Sequence, residues 1–235
     1  MSRGVREVIL ILPESGIRAN YHPCDPGIGA ACAIALAEAG ANICLVQREP
    51  VDGASPNLET YNAILALGVQ AKIVHCDLSD IPAVRSLFQN ALDALGGRIH
   101  ILVNCAGIQR RSPCVDFAEK DWDDVRLHRL PSGLIMSGGV NPVHRIVYCS
   151  LQVIDVNLKS VWLLCQAAGR HMTPLREGKI INFCSLMSYQ GGLTIPAYTA
   201  AKGALGQLTK SLSNEWSQHN VQVNGIVPGY IATSM

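Results

Sequence analysis

Tyr198 and Lys202 stand four residues apart in Tyr198-Thr-Ala-Ala-Lys202, and Ser185 lies thirteen residues before the tyrosine. On a helix, positions i and i+4 share one face. An ammonium held there is expected to lower the pKa of the phenol, so that Tyr198 exchanges a proton near neutral pH. Ser185 follows the apolar run Lys179-Ile-Ile-Asn-Phe-Cys184, which reads as a buried strand and brings the hydroxyl to the strand's carboxyl end. A hydroxyl, an acidified phenol and a cation are the groups that reversible oxidation of an alcohol requires. A tyrosine four residues before a lysine is by itself a common coincidence; three further motifs give it weight.

Gly27-Ile28-Gly29 opens the apolar segment Ala30–Gly40 and precedes the strand Asn42–Val46. Glycines at a helix N-terminus let a pyrophosphate approach backbone N–H groups and the positive end of the helix dipole. Asn104-Cys-Ala-Gly107 closes the strand Ile99–Val103, and Pro228, Gly229, Ile231 and Thr233 follow the strand Val221–Val227. Each motif falls at the carboxyl end of an expected strand, where ligands bind on open α/β sheets.

These motifs need a scaffold that lines up strand ends. Strands alternate with helices expected at Pro56–Leu67, Ile81–Leu95, Val156–Met172 and Tyr198–His219, as a parallel sheet requires. Repeats and low-complexity tracts are absent. The expected architecture is one α/β domain over residues 1–235, built on a parallel sheet.

Together, these residues resemble the short-chain dehydrogenase/reductase family over roughly Cys24–Val125 and Ile154–Thr233. The resemblance implies a single doubly wound parallel-sheet Rossmann domain over residues 1–235, NAD or NADP as cofactor and a catalytic tetrad of Asn157, Ser185, Tyr198 and Lys202. It implies that Tyr198 is the general base in oxidation and the acid in reduction, while Ser185 binds the substrate oxygen. Lys202 would hold the nicotinamide ribose, and Asn157 a water. Cofactor contacts carry over to Gly27, Ile28, Gly29, Asp77, Leu78, Asn104, Ala106, Gly107, Tyr198, Lys202, Pro228, Gly229, Ile231 and Thr233. Two plainer readings stay open: Asp77 as a helix N-cap before Ile81-Pro82, and Asn157 as a group that satisfies buried backbone.

The chain departs from the family pattern in three places. Arg126–Val153 reads as an irregular insertion of about 28 residues that interrupts one helix. His22-Pro23 replaces Thr-Gly in the phosphate loop, and proline offers no N–H to a phosphate. The strand before it is either Val8–Leu12 or Ile17–Tyr21. The sequence stops at Met235, ahead of the family's substrate loop, last helix and last strand, so the domain is expected to be C-terminally truncated with an open sheet edge. These departures leave open a second reading, a catalytically impaired or unstable relative of the kind an aberrant coding sequence produces.

A net charge of +1, with 16% charged residues and no basic block, argues against nucleic acid as a partner. The nine cysteines are scattered singly with no CxxC, so neither a disulfide framework nor a metal site is expected; they read as small hydrophobes in a reducing compartment. Val8–Leu12 is too short for a signal peptide, and no apolar run reaches the length of a membrane span. A cytoplasmic enzyme of a small-molecule substrate is expected, in a family that is usually homotetrameric.

The segment Asn104-Cys-Ala-Gly-Ile-Gln-Arg-Arg111 is similar to family members acting on sugar acids, gluconate 5-dehydrogenases and 2-deoxy-D-gluconate 3-dehydrogenases. Arg110 or Arg111 could clamp a carboxylate bidentately, or both could belong to a solvated loop. At the end of the second strand, Gln47 and Arg48 stand where an acid would bind the ribose diol of NAD; Arg48 tolerates a 2′-phosphate. The choice between NAD and NADP stays open.

Overall fold

Six parallel strands form one sheet in the computed structural model, which describes residues 6–11, 27–50, 58–122 and 153–231. The strands are β1 Arg6–Ile11, β2 Ala41–Gln47, β3 Ala71–His75, β4 Ile101–Asn104, β5 Gly178–Phe183 and β6 Val221–Ile226. Their order is β3-β2-β1-β4-β5-β6. The order reverses between β1 and β4, which creates the crevice where ligands bind on such sheets. The helices are α1 Ile28–Glu38, α2 Glu59–Ala66, α3 Ile81–Ala94, α4 Glu119–Trp122, α5 Ser160–Leu175 and α6 Pro196–Trp216.

Strand side chains alternate between two apolar layers, as the pleat dictates. Ile43 and Leu45 of β2, with Ile101 and Val103 of β4, pack under α1 and α2. Cys44, Val46 and Leu102 face the opposite layer with α3, α5 and α6. In α1 the inward residues Ala30, Ala33 and Ala37 are small, which lets the helix lie close to the sheet. In α3 the inward set Val84, Leu87, Phe88 and Ala91 repeats at the helical period.

Between the two candidates for the first strand, β1 takes the earlier one, shifted to Arg6–Ile11; Ile17–Tyr21 lies outside the described residues. His22-Pro23, Thr233 and most of the expected insertion lie outside them too. Val153, expected as the last residue of that insertion, is instead helical and fully buried. The helix expected from Val156 begins as a π-turn, Asp155–Lys159, before the regular helix α5. The N-cap of α3 is Asp80, whose carboxylate accepts the Ala83 N–H at 3.3 Å; Asp77 does not cap it. No described helix is long and apolar enough to cross a membrane. Cys44, Cys76, Cys165 and Cys184 are buried, as small hydrophobes would be, whereas Cys32 and Cys105 are half-buried and Cys114 is exposed.

His171 of α5 joins the helix to the start of β4: its Nε2 accepts the Ile99 N–H at 3.2 Å, and its ring meets Phe88 at 5.8 Å. An accepting Nε2 carries no proton. Burial, then the neighbouring Arg98 and His100 charges, lower the His171 pKa below its ordinary 6.5. The unfolded chain therefore binds a proton before the folded one does. The stabilisation is full above pH 6.5 and is lost as pH falls through the lower folded value. Thermal melts over this range should show a melting temperature that falls with acid, and His171→Gln should flatten that dependence. An unchanged slope in the variant would remove His171 from the account.

Candidate active site

Lys202 is the most deeply placed cation among the described residues, 3% exposed on the inner face of α6. Pro196, whose fixed φ suits a first helical turn, starts that helix two residues before Tyr198, so the phenol lies in the first turn. The Lys202 Nζ donates to the Phe183 carbonyl at the end of β5, at 2.7 Å. It lies 5.7 Å from the centre of the Tyr198 ring. Burial lowers the Lys202 pKa to about 8, opposed by the Cys184 and Cys105 thiols.

The effect on Tyr198 corrects the expectation from spacing. Burial raises the phenol above its ordinary 10.0, a hydrogen bond with the Ser185 side chain opposes that rise, and Cys184 adds to it. The ammonium donates to the Phe183 carbonyl, and burial outweighs what lowers the phenol. In this state Tyr198 is protonated at neutral pH, a proton donor with Ser185 beside it.

Asn157 sits in the π-turn and is fully buried. Its Nδ2 donates to the carbonyls of Ile108 and Val153, both at 2.8 Å. It does satisfy buried backbone, as one plainer reading held, yet its Oδ1 has no hydrogen-bond partner among the described groups. A Cβ at Gly107 would lie 2.7 Å from that Oδ1 and 3.5 Å from Lys202 Nζ. Glycine at 107 is therefore what lets the loop after β4 pass between the amide and the ammonium. π-turns of this kind concentrate at functional sites because they rotate one side chain out of helical register.

Of the expected cofactor residues, Gly27 caps α1 without a side-chain hydrogen bond, and no acid occupies the first turn. Ile28 and buried Gly29 follow it. The N-terminus of α1 therefore keeps the positive character that an anion requires. Arg48, after β2, pairs with Asp77, after β3, at 3.8 Å. Asp77 also accepts the N–H and hydroxyl of Ser79, at 2.7 and 2.6 Å. Leu78 and Ala106 are buried in the floor of the crevice, and Pro228, Gly229 and Ile231 follow β6 at its carboxyl end.

Asn104 is turned inward. Its amide donates to Asn182 Oδ1 at 2.9 Å, and Asn182 donates in turn to Thr209 Oγ1 at 3.0 Å. This buried chain links β4, β5 and α6 beneath the site, and the sequence reading missed Asn182 and Thr209. The alternation of Asn182 with apolar neighbours inside a buried strand was the available signal. Of the two arginines, exposed Arg111 places Nε and Nη2 at 2.8 and 2.9 Å from the Gln109 amide oxygen, with that amide in its hydrogen-bonded orientation. Arg110 is half-buried and donates to the Gln109 backbone carbonyl at 3.3 Å.

The family model described as short chain dehydrogenase matches residues 23–235. The 2-dehydro-3-deoxy-D-gluconate 5-dehydrogenase of Escherichia coli (strain K12) is 37% identical over 213 residues, 90% of this chain and 70% of the relative. The gluconate 5-dehydrogenase of Gluconobacter oxydans (strain 621H) is 36% identical over 223 residues, 94% of this chain and 73% of the relative. A crystal structure with bound NADP, from a protein of Agrobacterium tumefaciens assigned as a 2-deoxy-D-gluconate 3-dehydrogenase, superposes with a TM-score of 0.70 at 33% identity. It covers 97% of this chain and 72% of its own.

Thr209→Val replaces the hydroxyl with a methyl of similar shape and leaves the buried Asn182 Nδ2 without its acceptor. The expected loss is about 1–3 kcal/mol, read as a lower urea midpoint at constant slope. A midpoint equal to that of the native chain would show that the network contributes nothing to stability.

Proposed function

The chain belongs to the short chain dehydrogenase family, oxidoreductases acting on CH–OH groups, and from that premise we propose that it interconverts a secondary alcohol and a ketone on a sugar acid or related polyol, with NAD or NADP. The observation that carries this reading is the convergence of Lys202, Asn157 and Gly107, with Tyr198 and Ser185 beside them, at the carboxyl ends of β4 and β5. The intact cluster also favours an active enzyme over an impaired relative.

The residues fit a dinucleotide. The N-terminus of α1, with glycine at its N-cap and no acid in its first turn, suits a pyrophosphate. Lys202 suits the nicotinamide ribose, and Arg48 in place of an acid accommodates a 2′-phosphate. A bound nicotinamide supplies or accepts the hydride, and the protein supplies orientation and proton handling. In reduction, Ser185 hydrogen-bonds the carbonyl oxygen and Tyr198 gives its phenolic proton to that oxygen as the carbon accepts hydride. The products are the alcohol and a tyrosinate. The raised phenol pKa suits this direction, because the proton is present at neutral pH. In oxidation Tyr198 takes the proton back. Asn157 Oδ1, facing the ammonium across Gly107, is suited to hold a water that relays the proton outward.

A sugar-acid substrate is supported by the relatives' activities and by the arginines after β4. Gln109 holds Arg111, so Arg110 is the better clamp for a carboxylate. NAD and NADP remain alternatives.

Tyr198→Phe should abolish turnover and leave cofactor affinity unchanged in an NAD(P)H fluorescence titration, while Lys202→Ala should weaken both. Native turnover by Tyr198→Phe would sink the assignment. Arg110→Ala should raise KM for the sugar acid more than tenfold over its effect on a neutral polyol, from about 1.5–3 kcal/mol for a charge-assisted pair. Equal losses on both substrates would return Arg110 to the solvated-loop reading.

A further inference from the structure

Ser188 touches both halves of the site without facing the reacting atoms. Its Oγ donates to the Lys202 backbone carbonyl at 2.7 Å and accepts the Ser185 N–H at 3.3 Å. Ser185 is held again by its own turn: its carbonyl accepts the Ser188 N–H at 2.9 Å, and its Oγ accepts the Met187 N–H at 3.2 Å. The turn Leu186–Ser188 is therefore a rigid single 3-10 loop, and one hydroxyl fastens it to the helix that carries Tyr198 and Lys202.

The helix is shaped for that contact. A Cβ at Gly206, one turn beyond Lys202, would lie 3.2 Å from the Ser188 Cβ and 3.6 Å from its Oγ. Any side chain there would press the turn away from α6. The Lys202 carbonyl is also one that α6 offers along its own length, so Ser188 reaches the helix at the register of the buried ammonium.

We propose that Ser188, seated on Gly206, is a positioning residue that sets the distance between the Ser185 hydroxyl and the Tyr198 phenol. This rests on the reading above of Ser185 and Tyr198 as the hydrogen-bonding and proton-transfer groups. Misplacement of a reacting group by about 1 Å costs on the order of a hundredfold in rate, and a hinge at Ser188 acts on Ser185 at its own N–H.

The test compares Ser188→Ala, Ser188→Thr, Gly206→Ala and the double variant Ser188→Ala/Gly206→Ala. The first readout is the ultraviolet phenolate titration of Tyr198 in the protein without cofactor, isolated by subtraction of the Tyr198→Phe curve. Loosening Ser185 removes the hydrogen bond that opposes the rise, so Ser188→Ala and Gly206→Ala should each titrate at higher pH. Ser188→Thr keeps the hydroxyl and should restore the native curve. The second readout is steady-state kinetics: kcat should fall roughly tenfold or more in Ser188→Ala, with KM for the cofactor unchanged. The double variant should be no worse than the poorer single one, since both remove the same contact. A native titration curve in both Ser188→Ala and Gly206→Ala overturns the proposal. So does a lowered melting temperature with an unmoved titration, the mark of a purely structural serine; alanine at 206 is the better helix former, so its effect on melting separates the two. A shifted titration in a chain with no turnover on any secondary alcohol upholds the joint and sinks the functional reading instead.

Discussion

A lysine ammonium with almost no access to water, held by one strand-terminal carbonyl, is the constraint around which the carboxyl ends of β4 and β5 are arranged. Burial of the Lys202 charge is unfavourable unless hydrogen-bonded, and the Phe183 carbonyl supplies that bond. The arrangement requires α6 to lie at one height on β5 and the loop after β4 to lack a side chain at Gly107. It leaves the Asn157 amide facing the same space. Because the folded pKa lies near 8 and the ordinary value is 10.5, the unfolded chain holds this proton more tightly. Stability therefore rises with pH between those values. The fold gives up stability at neutral pH to keep a charged amine in a dry crevice, a trade expected of functional sites rather than of structural ones.

What holds α6 at that height is polar as well as apolar. Leu205 and Leu212 bind the helix to the core, but apolar contacts are tolerant of small slides. The Asn104–Asn182–Thr209 chain is not, because each member is buried and directional. It ties the ends of β4 and β5 and the fourth turn of α6 into one register. The loop that carries Gly107 and the helix that carries Lys202 then inherit their separation from this network.

Much of the site was legible in the sequence, and for physical reasons. The i, i+4 spacing of Tyr198 and Lys202 is a local property of any helix, and β3 and α3 were bounded by runs whose periodicity is internal to them. Ser185 at a strand end followed from the apolar run before it. What escaped depends on partners far along the chain. The π-turn at Asp155–Lys159 is joined to the Ile108 loop by the Asn157 amide, a long-range contact that local propensity does not encode. Asp77 and Asp80 are both plausible caps by type, and only the geometry of the turn selects Asp80. The rise of the Tyr198 pKa is not written in the spacing, because the burial that dominates it comes from residues distant in the chain. Asn182, Ser188 and Thr209 are ordinary polar residues in sequence, and only their distant partners reveal them.

The most direct test of the account is the ionisation of that one amine. An isotope-edited NMR titration of the lysine Nζ signals, with the Lys202→Met variant to assign the resonance, measures it without substrate or cofactor. The arrangement predicts that Lys202 titrates at about 8. Titration near the ordinary 10.5 would mean that the ammonium is solvated, and that the buried cation does not organise the site.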